Sequence, residues 1–520
     1  MKKTLLFFTI LISGLSVHAQ KEANNWTFGY NAFLTWNTTR SFPVTPVSST
    51  GATLTSLDGL PNSPKMSSNH NYEGCFTLSD SNGALLFYSD GVNVWDKTGA
   101  TMTNGTGLAG GSSSTQSGIL FPYPNVANKY VEVTMGETEN SSPRIAYSII
   151  DMTLRSGAGD VVAAQKNQSF PEGAAGLFTE SLTSIAIPNT KDYWVIAPTK
   201  VSSPSTLYAW KFTAAGPQAP AKTSLGVVIK EDRTSGHIKL TPDGRHFVMT
   251  VGGWPPYRLV YGDFDMNTGF ASNVKNFQYP GDTNNWMISP YGLEFSPNGK
   301  LLYVSFADAR VVIYNVDEIF TKPSLDTVTQ KSYNLVFPAP PYSGLEGIQQ
   351  AVDGRLYMVT PDQTYMWVID DPNNFDSPKI YKTGTGFISG GATAQYGLPN
   401  FAPNWFNMTP AAKKFACTGY DYKFTTKVDM SGGIDAPVSL KIDFGDTKST
   451  TVPLVSGQTD YQIAHTYQNS GTYTVIITPV KSGGVTLTPS TVTAYVVDCS
   501  IRTNPQIRVD LQNVNTKSGL

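Results

Sequence analysis

Residues able to do covalent or metal chemistry are sparse in this chain. Its five histidines are His18, His70, His237, His246 and His465, and no two stand at metal-ligand spacing. No H-E-x-x-H, C-x-x-C, G-x-S-x-G or phosphate-binding loop occurs, so no metal centre, no cofactor and no nucleophile elbow is expected. What remains is carboxylates and loop aromatics. Glu73, Glu294 and Glu346 each stand in a similar β-rich segment and read as beginning equivalent strands. Carboxylates from distant segments that meet across a channel can split a glycosidic bond. A residue that recurs with a repeat can equally cap or hydrogen-bond within it, so no catalytic residue is assigned. Arg233, His237 and Lys239 read as a polar rim. Trp254 and Tyr257, in a Gly/Pro loop, and Trp286, after Asn284 and Asn285, are the ligand-binding candidates. Such side chains stack on sugars or anchor a protein, and they equally plug a channel.

The elements that must position these residues repeat. Glu73 to Tyr88, Gly236 to Thr250, Tyr291 to Phe306 and Glu346 to Thr360 share one pattern: a glycine, an apolar-alternating run, an Asn-Gly or Asp-Gly pair and a second β-rich run. That is a β-hairpin, because Asn/Asp-Gly tolerates the positive φ of a tight turn. The turn glycines are Gly83, Gly244, Gly299 and Gly354, and the last two gaps are 55 residues each. The first gap, 161, holds two degenerate copies, Leu120 to Val133 and Ile185 to Ile196. Segments Trp26 to Trp36 and Gly386 to Phe401 are left over at the two ends and together supply a seventh unit. An all-β repeat of this period predicts a β-propeller, most simply seven-bladed, over residues 20–408. Each blade buries its faces only against its neighbours, and ring closure leaves no end exposed.

Charge agrees with that reading. Lys+Arg 37 against Asp+Glu 39 argues against nucleic acid or an anionic membrane surface as partner. Charged residues make up 15%, below the roughly 25% of an average soluble protein, and aromatics 12%, which suits an exported all-β chain. Residues 1–19 read as a signal peptide: Lys2 and Lys3, an apolar run from Leu5 to Leu15, and a small-x-small site at Val17 to Ala19. No later run is long enough to predict a membrane span. Export implies an oxidising compartment. Cys417 and Cys499 flank one short segment and are expected to pair, closing an 83-residue loop worth about 3–5 kcal/mol in the loop-entropy model. Cys75 reads as a buried small hydrophobe.

Prolines near 401–413 mark a boundary. Residues 413–499 carry strand-like runs at Tyr420 to Val428, Val438 to Phe444, Gly471 to Val480 and Val485 to Val497, a β-sandwich pattern. Residues 500–520 are a polar tail or the start of a further domain.

Two resemblances follow from these residues. The motif Ile442-Asp443-Phe444-Gly445-Asp446, with His465, Tyr467, Gly471, Tyr473 and Val475, resembles a PKD domain, an immunoglobulin-like sandwich of microbial surfaces. Thr447 stands where that family often has glycine. The repeat region is similar to propellers of secreted Bacteroidetes proteins that precede PKD domains. The matching segments are Asn25 to Gly29, Leu86 to Trp95, Ser114 to Ser117, Tyr291 to Pro297 and Tyr396 to Phe401. That resemblance implies a secreted or cell-surface protein linked to type IX secretion and gliding-associated surface proteins, with the secretion machinery as a further partner. No recognisable sorting domain follows Cys499. The expected function is therefore non-catalytic binding or adhesion: propeller loops contact a surface glycan or protein ligand, and the PKD-like unit is a spacer or second contact module. A carbohydrate-active hydrolase or lyase working in the channel is the alternative, and an envelope-assembly scaffold shares every feature of the first reading.

Overall fold

A computed structural model describes residues 21–64, 67–138, 144–188, 190–200, 203–230, 234–253, 255–280, 289–335, 344–403, 415–428, 436–455, 458, 460–487 and 489–497. Among these the chain is almost entirely antiparallel sheet, with one six-residue α-helix at Val316–Thr321 and a few 3-10 turns. It divides into two compact units, 1–409 and 410–520.

The first unit is a succession of antiparallel meanders. Phe76–Ser79, Leu85–Ser89, Asn93–Asp96 and Thr101–Thr106 form one sheet; Ile238–Leu240, His246–Val251, Arg258–Phe264 and Ala271–Gln278 another; Pro290–Phe295, Leu301–Phe306, Arg310–Asn315 and Gln330–Asn334 a third. The sheets headed by Gly118–Pro122 and Thr183–Ala186, where the repeat is degenerate, have the same order with a divided outer strand. Each expected hairpin forms: Leu78 faces Phe87, Leu240 faces Phe247, Phe295 faces Leu302 and Gln350 faces Leu356. Gly83, Gly244, Gly299 and Gly354 all take positive φ, between 69° and 90°. At the last three turns the Asp or Asn before the glycine accepts a hydrogen bond from the backbone two residues on, as Asp353 does from Arg355, and at the first Asp80, three residues before Gly83, accepts from Asn82 and Ala84 instead. Side-chain capping and the glycine conformation thus fix one turn geometry repeatedly.

The ends of the unit meet in one seven-stranded sheet. Ala32–Pro46 is the hinge: its start, residues 32–35, pairs with Asn25–Phe28, residues 35–43 pair with Ser56–Asn62, and its last three residues pair with Ile380–Thr383 of the final meander. Inner strands of successive sheets contact one another. Thr27 Oγ1 lies 2.9 Å from Thr77 Oγ1, Thr250 donates to the Tyr291 carbonyl at 2.6 Å, and Gly347 N donates to the Tyr396 carbonyl at 2.7 Å. Closure falls to residues 396–400: Asn400 N donates to the Cys75 carbonyl, and a Cβ at Gly397 would sit 2.0 Å from the Glu73 carbonyl oxygen, so only glycine fits there. Sheets in chain order around a shared axis make this unit propeller-like. Its largest core cluster runs through successive sheets, from Trp26 and Phe76 to Phe121, Trp210, Leu302 and Tyr357.

The second unit has a five-stranded sheet and a two-stranded one, Asp421–Lys427 with Asp460–Thr466. Leu440, Ile442, Phe444, Tyr467, Val475 and Val496 are buried between them. Tyr467 is fully buried and its hydroxyl donates to the Phe444 carbonyl at 2.9 Å. Thr447 holds φ 72°, the left-handed region where glycine would be unstrained. Ser449–Pro453 and Asp460–Thr466 are strands that hydrophobic patterning did not single out.

Candidate functional site

The innermost strands all run the same way along the axis, so residues at their starts gather at one end of the bore. There stand Glu73, ahead of Phe76–Ser79; Glu180, ahead of Thr183–Ala186; His237, ahead of Ile238–Leu240; Tyr291, in the first turn of Pro290–Phe295; and Glu346, ahead of Ile348–Gln350. Tyr396 joins them from the closing segment. Tyr291 donates its phenol to Glu73 Oε1 at 2.9 Å, a bond spanning 218 residues of sequence and therefore crossing the mouth. The Tyr291 ring lies 5.3 Å from His237 and 6.5 Å from Tyr396, and Tyr30 packs edge-on to Tyr72 at 5.5 Å. Exposure falls with depth: Tyr72 is exposed, Tyr30, Glu73 and Tyr396 are half-buried, and His237, Tyr291 and Glu346 are buried.

Burial decides the charge states here. It pushes the Glu346 carboxyl up to about 8, so that group holds its proton at neutral pH. Burial, with some help from the Lys239 charge, lowers His237 to about 3 and keeps its ring neutral. Tyr291 is pushed well above its ordinary value, first by burial and then by Glu73 and Glu346. Both ring nitrogens of His237 are buried without a hydrogen-bond partner. Glu180 differs: its two oxygens accept from the amides and hydroxyls of Thr115 and Thr138, which marks it as a structural tie.

Below the mouth the bore is closed by side chains. Gln116 Oε1 accepts from Leu182 N and Ile238 N, and its amide donates to the Ile238 carbonyl and Asn400 Oδ1. Asn400 donates in turn to the Gly118 and Leu182 carbonyls. Lys239 pairs with Glu294 and donates to Gln349 Oε1 at 2.8 Å, all three buried.

These positions correct parts of the sequence reading. Glu73 and Glu346 do meet at the mouth, but Glu294 does not begin its strand. It lies inside Pro290–Phe295 at the level of Lys239 and Gln349, and its ion pair fills the bore. Lys239 belongs to that pair and not to a rim, while His237 does reach the mouth. Tyr257 is only 2% exposed and among the largest fully buried side chains, so it is core and not a stacking surface. Trp254, Trp286 and Arg233 lie outside the described residues. Cys75 is free and buried, its thiol pushed up by burial. Cys417 faces Val497 in a parallel pair, and Cys499 lies outside the described residues. Among the described residues no cluster of His, Cys, Asp and Glu could hold a metal ion, and no helix is long and apolar enough to cross a membrane. Tyr291, Tyr396, Gln116 and Asn400 stood in the segments that carried the propeller resemblance but were not named as site residues. Tyr291 carried a signal, standing as far before Gly299 as Glu346 stands before Gly354.

Fold and mouth together define an all-β, propeller-like protein with a polar, aromatic-lined axial site. No family model matches the chain, and no curated protein does. Solved structures do. Hydrazine synthase of Kuenenia stuttgartiensis aligns at TM-score 0.37 and 13% identity, over 73% of this chain and 99% of that one. Periplasmic gluconolactonase of Pseudomonas aeruginosa aligns at 0.35 and 8%, over 81% and 98%. A protein from Lactobacillus plantarum aligns at 0.34 and 11%, over 82% and 96%. Likeness of this degree assigns no activity.

Proposed function

We propose that this chain is an exported, non-catalytic binding protein whose seven-bladed propeller takes an uncharged saccharide unit of a glycan in its axial mouth. Counting the two arms of the seven-stranded sheet as separate blades supports the number seven. One observation carries the reading: at the base of the mouth a neutral imidazole, His237, sits unpartnered, with a buried protonated carboxyl, Glu346, beside a tyrosine tied across the bore to Glu73. Neutral donors and acceptors next to phenol rings complement sugar hydroxyls and C–H faces. A charged ligand would find no counter-charge in Glu346 or His237. The second unit, in this reading, is a PKD-like spacer. Its support is the buried Tyr467 hydroxyl and the Asp443 and Asp446 turn that accepts from Gly445 and Lys448. Export, a cell-surface or secreted location linked to type IX secretion, and the Cys417 to Cys499 bridge belong to the same proposal.

The test is a glycan array on the mature protein, followed by calorimetry with the best ligand. Glu346→Gln and Tyr396→Phe should each weaken binding about tenfold, roughly 1.4 kcal/mol, with no loss of thermal stability. Unaltered affinity in both variants would remove the mouth from the claim. A second reading, a carbohydrate-active hydrolase or lyase, is favoured by Glu346 alone, since a carboxyl that holds a proton at neutral pH can act as a general acid. Release of reducing ends from the bound glycan, abolished in Glu346→Gln, would replace binding with catalysis.

A further inference from the structure

Away from the axis, a groove of about 380 Å³ opens between the Thr183–Ala186 and Ile238–Leu240 sheets. It is formed by the 226–230 connection, the start of Arg258–Phe264 and the outer strand Ala271–Gln278. Val227, Val251 and Pro256 make one wall apolar. Two cations face it, Lys230 and Arg258, and no carboxylate among the described residues lines it. Arg258 Nη1 donates to Asn276 Oδ1 at 2.8 Å, which fixes the guanidinium plane and leaves its remaining donors open. Neither cation forms an ion pair with a described residue, whereas Lys129, Lys211, Arg155 and Arg355 of the same unit all do. Burial lowers Arg258 from its ordinary value with no carboxylate opposing it.

A half-buried guanidinium with no counter-ion among the described residues is arranged to accept a planar or tetrahedral oxyanion in two-point contact. The lysine adds a flexible second charge at the open edge. An apolar wall beside two cations suits a ligand that carries its anion on a compact body with a C–H face.

We propose that this groove binds the carboxylate or sulfate group of an acidic saccharide, Arg258 and Lys230 holding the anion and Val227 and Pro256 lying under the ring. The saccharide class rests on the function proposed for the mouth; the anion chemistry does not. It also divides the labour, since the mouth favours uncharged units and the groove charged ones.

Calorimetry on the full chain tests this with four probes: trigalacturonate, dextran sulfate, unmodified dextran and poly-glutamate. Trigalacturonate or dextran sulfate should bind, more weakly as salt is raised. Lys230→Gln combined with Arg258→Gln should weaken that binding tenfold or more, and Arg258→Lys should restore part of it. Lys230→Gln alone, at an exposed side chain, covers the case in which the double variant fails to fold, and should still weaken binding severalfold. Binding of one acidic probe only identifies the group recognised. No binding of either acidic probe, or equal binding by the groove variants, overturns the proposal. Poly-glutamate bound as tightly as trigalacturonate overturns the saccharide assignment. Glu346→Gln should leave acidic-probe binding intact, so failure of the mouth and failure of the groove read out separately.

Discussion

Two levels of one axis are built from the same kinds of residue and treated in opposite ways. In the bore, Gln116, Asn400, Lys239 and Glu294 are closed on one another and on the backbone of several sheets. Towards the mouth, His237 is as deeply buried but neither ring nitrogen has a partner among the described residues. Native proteins pair nearly all buried polar groups, because an orphan costs about 1–3 kcal/mol. The Gln116–Asn400 and Lys239–Glu294 pairs obey that rule and are architecture, while Gln350 Oε1 and Ser184 Oγ on the inner strands are left unpaired. His237 breaks it at the mouth with two nitrogens on one ring, and a place where stability is given up is where a ligand has something to complete.

The largest effect expected is in the bore. Lys239→Met removes one half of a buried ion pair and strands Glu294, at a cost of about 3–5 kcal/mol. The midpoint of chemical denaturation measures it. A loss below about 1 kcal/mol, the range of exposed pairs, would mean that the bore is wet and that its pairing says nothing about structure.

A middle-sized effect separates the mouth from the body of a blade. Glu346 and Glu132 are both raised to about 8, chiefly by burial, and Asp90 adds to it for Glu132 while the Ser89 hydroxyl opposes it. Each binds its proton more tightly folded than unfolded, where a glutamate titrates near 4.5. Their contribution to stability is therefore complete below that ordinary value and is lost as pH rises through about 8. The melting temperature should fall between pH 5 and pH 9, and Glu346→Gln or Glu132→Gln should each flatten the fall. Only Glu346→Gln should also weaken glycan binding. A melting temperature that climbs over this interval would contradict both assignments.

How much of this was readable beforehand follows from range. The hairpins were legible because an Asn-Gly or Asp-Gly pair decides its turn locally, and every such glycine has the positive φ it implied. Glu73 and Glu346 were legible as recurrences. Glu294 was misplaced because three residues along a strand look alike without a register. Gln116 and Asn400 stood in segments that carried the resemblance, but their pairing was not legible: they meet across 284 residues, and only ring closure brings them together. Tyr257 misled because a Gly/Pro-rich surround suggests an exposed tip, while the chain in fact folds the ring inward and hydrogen-bonds its carbonyl to Tyr279.

The smallest stability effect should come from the residue that most sharply divides the two levels. His237→Phe removes two buried nitrogens that have no partner and leaves a ring of similar shape beside Tyr291. Replacing an unpaired polar ring by an apolar one costs little, so stability should stay within about 1 kcal/mol of the parent or rise slightly. Denaturation midpoints check this, and calorimetry with the array ligand checks its counterpart, a loss of affinity that His237→Asn partly restores by returning a donor and an acceptor. A large destabilisation would show that the imidazole is hydrogen-bonded within the fold after all. His237 would then belong with Lys239 below it, and the mouth would lose its unpartnered group.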